Sequence, residues 1–386
     1  MSLMQNYARA DVTFVDGDGV WLRDDKGRSY LDFGSGIAVS ALGYNHPHLV
    51  ATLRDAASKP WHVSNLFHIP EQQRLAERLC QLSFGEQAFF CNSGLEANEA
   101  LIKLARRYHY VNGDPHRHRI ITVSNAFYGR SILTLSAANN PAHLEGCGPK
   151  APGFSHVSLN NMNEMRTAIT DDTAAILLEP IQGEGGINPA HTSYLQDLRT
   201  LCDEWGILLL VDEIQCGNGR TGKIWAYEWA DIIPDAMATA KGLGGGFPIG
   251  SVVATCEAAR GFTPGSHGTT FGGNPLACAV ANGVLDVIES PEFLRHVQER
   301  GAQLEAGLQA LVSQFPTLYH LTRGKGLIFG LQTQEPPAPI IAKLRDRGLI
   351  TIPASDNIIR IIPPLIITED EVAQGLRILH ETSLAS

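Results

Sequence analysis

No apolar stretch of this sequence is long enough to cross a membrane, and the N-terminus lacks the basic stretch and apolar run of a secretory signal. Basic residues are not in excess either, because 30 Lys and Arg face 40 Asp and Glu, for a net charge of -10. This balance provides no positive field for nucleic acid or an anionic membrane surface. We therefore expect a cytoplasmic protein that binds neither nucleic acid nor membrane.

Patterns typical of metal sites and disulfide frameworks are also missing. The seven cysteines form no C-x-x-C pair and their number is odd, so we predict neither a zinc site nor a set of disulfides, and reduced thiols fit a cytoplasmic protein. The histidines of "HPH" (46–48) and "HRH" (116–118) lack a third ligand at a recognisable spacing. No metal site is predicted.

The sequence does contain many short runs that are apolar throughout, with segments of helical period between several of them. This pattern is typical of a largely parallel β-sheet covered by helices on both faces, so the predicted class is α/β. The predicted strands are "AFFC" (88–91), "RIITV" (119–123), "AAILLEP" (174–180), "ILLLVDE" (207–213) and "GSVVAT" (250–255).

Three segments are predicted along the 386 residues. Residues 1–45 contain a hairpin that turns at Asp25-Lys26-Gly27 and form a segment that packs with the smaller domain. Residues 46–285 form the large domain. Residues 286–386 form a smaller α+β domain, which begins with an amphipathic helix at 293–315.

The stretch "CNSGLEANEALIKLARRYH" (91–109) predicts a junction between a strand and a helix. Ser93 and Glu96 have the spacing of a capping box, so the helix should begin near Gly94. The free amides and the dipole at such a start bind phosphate. An ordinary capped helix has the same pattern, so the stretch alone does not establish a phosphate site.

Two charged residues follow apolar runs. Asp212 closes "ILLLVD" and Lys241 follows "DAMATA", 29 residues later. Burial of a carboxylate at the end of a central strand costs free energy unless a partner stabilises its charge. Asp212 could form a buried ion pair, cap a helix or hold a protonated ring nitrogen of a ligand bound at this edge. A lysine in apolar surroundings has a lowered pKa and an available amine for Schiff-base chemistry, although it can instead extend into solvent. A phosphate cradle, a carboxylate and an amine are together what pyridoxal 5'-phosphate requires.

At these residues the chain resembles the class-III (ω-amino) aminotransferases of fold type I, and within them the acetylornithine aminotransferases, over nearly its whole length. The resemblance implies a large domain with a mostly parallel seven-stranded sheet and pyridoxal 5'-phosphate as cofactor. The matching stretches are "YLDFGSGIAVSALGYNHP", "CNSGLEANEALIKLAR", "AFYGRS", "LEPIQGEGG", "VDEIQCGNGRTG", "AKGLGGGFPIG", "HGTTFGGNPLA" and "IIRIIPPL".

The resemblance also assigns roles around the cofactor. Lys241 forms the Schiff base with it, and Asp212 pairs with its ring nitrogen. Thr270 reaches the phosphate of the neighbouring subunit, which implies a homodimer with shared active sites. The remaining cofactor contacts are Ser93, Gly94 and Leu95 on the phosphate, Phe127 and Ile214 on the two ring faces, and Gln215 near the ring hydroxyl. Leu95 departs from the common family pattern, in which this position is usually a threonine, so one hydroxyl donor to the phosphate is missing.

Substrate recognition is assigned in the same way. Arg130 and Arg360 match the arginines that hold substrate carboxylates, for which the forked guanidinium is suited. Glu184 matches a glutamate that pairs with the second arginine while an ω-amine donor reacts and releases it for 2-oxoglutarate. Ile37 stands where ornithine aminotransferases have a tyrosine, which favours an N-acylated ornithine.

The resemblance implies transfer of the ω-amino group of N-acetylornithine to 2-oxoglutarate in a ping-pong cycle. It favours a role in arginine biosynthesis, with arginine degradation and lysine biosynthesis as the alternative pathways. A succinylornithine, ornithine or 4-aminobutyrate aminotransferase and an aminomutase remain alternatives within the same chemistry. A non-catalytic protein that keeps only the fold is the alternative from another class.

Overall fold

The computed structural model describes residues 2–385. Its strands are β1 (Phe14–Asp18), β2 (Trp21–Asp24), β3 (Ser29–Asp32), β4 (Gln87–Cys91), β5 (Arg119–Val123), β6 (Phe154–Val157), β7 (Thr173–Leu178), β8 (Ile181–Gln182), β9 (Asn188–Pro189), β10 (Leu208–Asp212), β11 (Ala236–Thr239), β12 (Gly250–Ala254), β13 (Tyr319–Lys325), β14 (Ile328–Thr333), β15 (Leu349–Ile350), β16 (Ile352–Ala354) and β17 (Ile358–Ile361).

The helices cover the sheets and connect most of the strands. They are α1 (Ser35–Ala38), α2 (Pro47–Ala57), α3 (Pro70–Gln81), α4 (Gly94–Val111), α5 (Ile132–Ala138), α6 (Pro141–Leu144), α7 (Met162–Ala168), α8 (Thr192–Trp205), α9 (Cys256–Ala259), α10 (Pro275–Ile288), α11 (Pro291–Gln314), α12 (Ala338–Asp346) and α13 (Glu369–Leu384), with short 3-10 helices at Ala226–Ala230 and Lys241–Leu243. No helix within residues 2–385 is both long and apolar enough to span a membrane.

The central sheet has seven strands in the order β4-β12-β11-β10-β7-β5-β6. The neighbours from β11 to β6 are parallel, whereas β12 runs antiparallel to both β11 and β4. The predicted α/β class and the mostly parallel seven-stranded sheet are therefore confirmed. β6 was not among the predicted strands, because its sequence "FSHV" is short and has two polar residues in its middle. It lies at the edge of the sheet, where a strand is less buried.

Both faces of this sheet are buried, which explains why its strands are apolar throughout. Along β10, Leu209 and Val211 belong to one hydrophobic cluster, and Leu208 and Leu210 belong to another on the opposite face. Alternate residues of a strand point to opposite faces, so each face needs its own apolar set.

The first and last parts of the chain pack together. β3 pairs in parallel with β15, so that Leu31 lies opposite Leu349, and the hairpin β2–β3 turns at residues 25–28 as predicted. Phe33 shares a hydrophobic cluster with Phe329 and Leu331 of the sheet β13-β14-β17-β16. The division into three segments, with boundaries at 45 and 285, stays a prediction.

Candidate active site

The carboxyl ends of neighbouring parallel strands bring several polar side chains together. Asp212 is the last residue of β10 and lies opposite Ala238 of β11, so Lys241, which follows β11, lies at the same edge of the sheet. Glu179 follows Leu178, the last residue of β7, which pairs with Val211. Ligands bind at this edge in open parallel sheets.

A cavity of about 420 Å³ opens at this edge. The residues assigned from the sequence that line it are Ser93, Gly94, Leu95, Phe127, Arg130, Asp212, Ile214, Gln215 and Lys241. The structure therefore brings together nine residues from four separate segments of the sequence.

Lys241 faces the cavity in the first turn of a 3-10 helix and its side chain is only partly exposed. Within residues 2–385 its ammonium makes no hydrogen bond or ion pair. Burial, together with the nearby Arg360 cation, lowers the pKa of Lys241 to about 8, against the opposing effect of Asp212, Glu179 and Glu184. A larger fraction of this amine is therefore unprotonated at neutral pH than for an ordinary lysine.

Asp212 is buried, with 3% of its surface exposed. Its Oδ1 accepts a hydrogen bond of 2.8 Å from the Ile214 backbone amide, and its Oδ2 accepts one of 2.7 Å from Asn98 Nδ2. Burial raises the pKa of Asp212, while these two hydrogen bonds and the charge of Lys241 lower it. Both oxygens of the carboxylate are thus hydrogen-bonded, and these bonds favour the charged form that would pair with a cation.

The predicted start of α4 is confirmed, with Ser93 as its N-cap and its hydroxyl accepting from the Glu96 amide at 3.3 Å. The reciprocal bond of the predicted capping box differs, because Glu96 Oε2 accepts from the Asn92 amide at 2.6 Å and not from that of Ser93. The first-turn amides of Gly94 and Leu95 have no intrahelical partner. They remain available to an anion, and a Cβ on Gly94 would lie 2.8 Å from Ile214 Cδ1.

Phe127 and Arg130 form one wall of the cavity. The Arg130 guanidinium carbon lies 5.6 Å from the centre of the Phe127 ring, and the side chain is exposed. Within the described part of the chain, Arg130 forms no ion pair. Leu95 packs below this wall, since a Cβ on Gly129 would lie 2.9 Å from its Cγ.

Arg360 and Glu184 lie beside the cavity and contact each other. Arg360 Nη1 is 3.0 Å from Glu184 Oε2 and 3.0 Å from Gln215 Oε1, and Nη2 donates to the carbonyl oxygen of Pro353 at 3.1 Å. Burial lowers the pKa of Arg360, and Glu184 opposes this effect. A Cβ on Gly183 would overlap Gln215 Cδ, so a larger residue there would displace the Gln215 side chain from its contact with Arg360.

Ile37 and Thr270 do not line the cavity formed by one chain. Thr270 is exposed, and Ile37 is 38% exposed. Four consecutive residues, Ser35 to Ala38, have positive φ, and at Ile37 φ is 67°. A β-branched residue in this region is strained. The predicted contact of Ile37 with substrate and that of Thr270 with a neighbouring subunit stay predictions.

Sequence reasoning missed two buried polar residues of the cavity, Glu179 and Asn98. Glu179 Oε1 accepts from the Phe127 amide at 2.9 Å and Oε2 from the Gly183 amide at 3.0 Å. Burial and the charge of Asp212 raise the pKa of Glu179. Its signal was the one used for Asp212, an acidic residue directly after an apolar strand run.

The polar groups that line the cavity fit the cofactor that the resemblance implies. An amine without a partner, a buried carboxylate held from behind and a helix start with free amides converge on one cavity. These match, in order, an aldehyde, a protonated ring nitrogen and a phosphate. No group of three or more His, Cys, Asp or Glu among residues 2–385 is placed to hold a metal ion.

Comparison with known proteins agrees with this geometry. Residues 4–382 match the sequence model of the family described as Aminotransferase class-III. The acetylornithine aminotransferase of Mesorhizobium japonicum is 52% identical over 375 residues, which cover 97% of this chain and 94% of that protein.

Solved structures of aminotransferases are also similar to this chain over nearly its whole length. The N-acetylornithine aminotransferase of Stenotrophomonas maltophilia has a TM-score of 0.85 at 36% identity, with 98% of this chain and 97% of that chain covered. The ornithine aminotransferase of Toxoplasma gondii has a TM-score of 0.96 at 31% identity, with 100% and 93% covered.

Proposed function

The chain belongs to the class-III aminotransferases, and from this premise we propose that it transfers the ω-amino group of N-acetylornithine to 2-oxoglutarate. Its cofactor is pyridoxal 5'-phosphate. The products are N-acetylglutamate semialdehyde and glutamate. The observation that carries the proposal is the convergence of Lys241, Asp212 and the start of α4 on one cavity, in a chain about half identical to an acetylornithine aminotransferase.

Each side of the cavity would hold a different part of the cofactor. Ser93 and the amides of Gly94 and Leu95 would bind the phosphate, because a helix start attracts anions. Asp212 would pair with the ring nitrogen. Phe127 and Ile214, which also line the cavity, would pack on the two ring faces, and Gln215 would approach the ring hydroxyl.

Lys241 is the group that moves protons. The bound cofactor supplies an aldehyde that accepts the amino group and a ring that withdraws electrons from the carbon being deprotonated. With the cofactor bound, Lys241 Nζ would hold its aldehyde carbon until the donor amine takes that place, and the freed amine would then take the proton from the donor carbon that bears this amine. A pKa of about 8 suits both tasks near neutral pH.

The two arginines support a donor with one carboxylate and an acceptor with two. Arg130, which has no anionic partner among residues 2–385, binds the carboxylate that both substrates present far from the reacting carbon. Arg360 is paired with Glu184 and becomes available only when an acceptor with a second carboxylate displaces Glu184. One cavity then serves both half-reactions, as a ping-pong cycle requires.

Free ornithine is the second candidate donor, because the ornithine aminotransferase of Toxoplasma gondii superposes on this chain with a TM-score of 0.96. Ile37, which offers no hydroxyl to a charged amino group, favours the acylated donor. A steady-state comparison of N-acetylornithine, succinylornithine, ornithine and 4-aminobutyrate, each with 2-oxoglutarate, decides between them. We expect the highest kcat/KM with N-acetylornithine, and a higher value for 4-aminobutyrate or ornithine would refute the assignment.

The homodimer with shared sites is part of the proposal, as is a cytoplasmic location. Thr270 is exposed and lies outside its own chain's cavity, next to Phe271, which is 62% exposed. Sedimentation of the holoenzyme should give twice the chain mass of 41.8 kDa. Thr270→Ala should weaken cofactor binding, whereas Thr263→Ala in the same loop should not. An active monomer would contradict shared sites.

A further inference from the structure

Asn98 is a buried residue of α4 whose side chain lies behind the carboxylate of Asp212. It has no exposed surface and lines the cavity. Its Nδ2 donates two hydrogen bonds, one of 2.7 Å to Asp212 Oδ2 and one of 3.2 Å to the backbone oxygen of Tyr128. A single amide group therefore connects the carboxylate to the segment that carries Phe127.

The orientation of this amide follows from its neighbours. Both Asp212 Oδ2 and the Tyr128 carbonyl oxygen are acceptors, so the NH₂ group must face them and Oδ1 must point away. Within residues 2–385, Asn98 Oδ1 accepts no hydrogen bond although it is buried. An apolar side chain would fill such a position at lower cost if only packing mattered. The function of Asn98 is thus to donate.

Asp212 needs this donor because it is removed from water. Of its two oxygens, Oδ1 is bonded to the Ile214 amide and Oδ2 to Asn98. Burial raises the pKa of Asp212, and the bond from Asn98 is the largest of the effects that lower it. Without that bond, the carboxyl would hold a proton more readily and its Oδ2 would be free to rotate away.

We propose that Asn98 is a positioning residue for the cofactor, which keeps the Asp212 carboxylate charged and in the orientation that meets the ring nitrogen. This inference rests on the proposed role of Asp212. Through its second bond to Tyr128, Asn98 also fixes the distance between that carboxylate and the wall on which the ring stacks.

The test measures binding of pyridoxal 5'-phosphate to the apoprotein by absorption, together with the thermal stability of the same apoprotein. Asn98→Leu keeps the branched shape and the number of non-hydrogen atoms of the side chain and removes the donor, and we expect binding to weaken about tenfold or more, as for loss of a hydrogen bond to a charged group. The matched control is Asn282→Leu. Asn282 is also buried in a helix, and its Nδ2 donates to Glu71 and Cys278 carbonyl oxygens away from the cavity. We expect this control to lose thermal stability and keep cofactor affinity.

A second variant gives a signature that packing does not produce. In Asn98→Asp the new carboxyl donates to Asp212 only while it is protonated, so the affinity relative to wild type should fall as the pH rises. Asn98→Ala should bind weakly at every pH. A pH-independent ratio for Asn98→Asp would overturn the inference.

The outcomes separate this inference from the proposed function. If wild type and Asn98→Leu bind the cofactor equally well, the inference is overturned and the function stands. If Asn98→Leu loses affinity only in proportion to lost stability, as Asn282→Leu does, the inference is overturned too. Failure of wild type to bind pyridoxal 5'-phosphate would overturn the proposed function and the inference with it.

Discussion

Arg360 Nη1 lies 3.0 Å from Glu184 Oε2, and the two side chains differ greatly in exposure, at 1% for the arginine and 36% for the glutamate. Arg360 belongs to β17 and is held by Gln215 and Pro353 as well. Glu184 lies in the turn between β8 and β9. The glutamate is therefore the partner that is free to move, as the proposed exchange between donor and acceptor requires.

Replacement of Glu184 by Gln should affect the two half-reactions unequally. The donor half-reaction should slow about tenfold, because an unpaired buried cation then faces a donor without a second carboxylate. The acceptor half-reaction should change little, since its own carboxylate neutralises Arg360. Stopped-flow absorption with each substrate alone measures both rates. Glu369→Gln, which removes a surface pair with Arg300 at 3.2 Å, is the control, and equal effects on both half-reactions would refute the exchange.

Arg130 should act in both half-reactions. Arg130→Lys keeps the positive charge but loses the forked guanidinium that binds a carboxylate through two hydrogen bonds. KM should therefore rise about tenfold for N-acetylornithine and for 2-oxoglutarate, with a smaller change in kcat. The control is Arg106→Lys, because Arg106 also lies over a phenylalanine ring, at 5.2 Å from the centre of Phe154, outside the cavity. An increase in KM for one substrate alone would show that Arg130 binds only that one.

Lys241 should react as a free amine at a lower pH than an ordinary lysine. Its pKa of about 8 lies below the usual 10.5 because of burial and Arg360, so its neutral form appears as the pH rises through about 8. Acylation of the apoprotein followed by peptide mass spectrometry should show half-maximal labelling rate near that pH. In Arg360→Met the midpoint should rise, because a nearby cation is gone. A wild-type midpoint near 10.5 would contradict the described environment.

The strained turn at Ile37 predicts an unusual effect on stability. Ile37 has a φ of 67°, a conformation that costs an L-residue about 1–2 kcal/mol and that glycine adopts freely. Ile37→Gly should therefore leave the free energy of unfolding unchanged or higher, although it deletes an apolar side chain. Ile132→Gly is the control. Ile132 has similar exposure, at 44%, but begins helix α5, and there glycine should cost about 0.5 kcal/mol relative to isoleucine. Urea unfolding of both variants measures the difference, and an equal loss in both would contradict strain at Ile37.

The sequence predicted the main features of the fold and the site because their signals are local. An apolar run followed by a charged residue marks the end of a buried strand, and this rule placed Asp212 and Lys241 at one edge of the sheet. The start of α4 followed from Ser93 and Glu96. The assignments of Arg130 and Arg360 to substrate depended on family resemblance, since an isolated arginine carries no such signal.

Other features depend on contacts between distant parts of the chain. Asn98 lies inside a helix, and nothing in its neighbours reveals that its amide meets a carboxylate 114 residues away. The left-handed turn at Ile37 lies beside one such contact, because the Ser35 hydroxyl donates to the Ile362 carbonyl, while Asp32 accepts locally from the amides of Gly34 and Ser35. Local preference argues against that conformation.

The most direct test of the account follows the yellow colour of the holoenzyme through one cycle. N-acetylornithine alone should bleach the visible absorption of wild type, and 2-oxoglutarate should restore it, with one equivalent of glutamate formed per active site. Lys241→Ala should do neither at a measurable rate, whereas the surface variant Lys26→Ala should behave as wild type. Turnover of N-acetylornithine by Lys241→Ala, or no bleaching of wild type by this donor, would contradict the account.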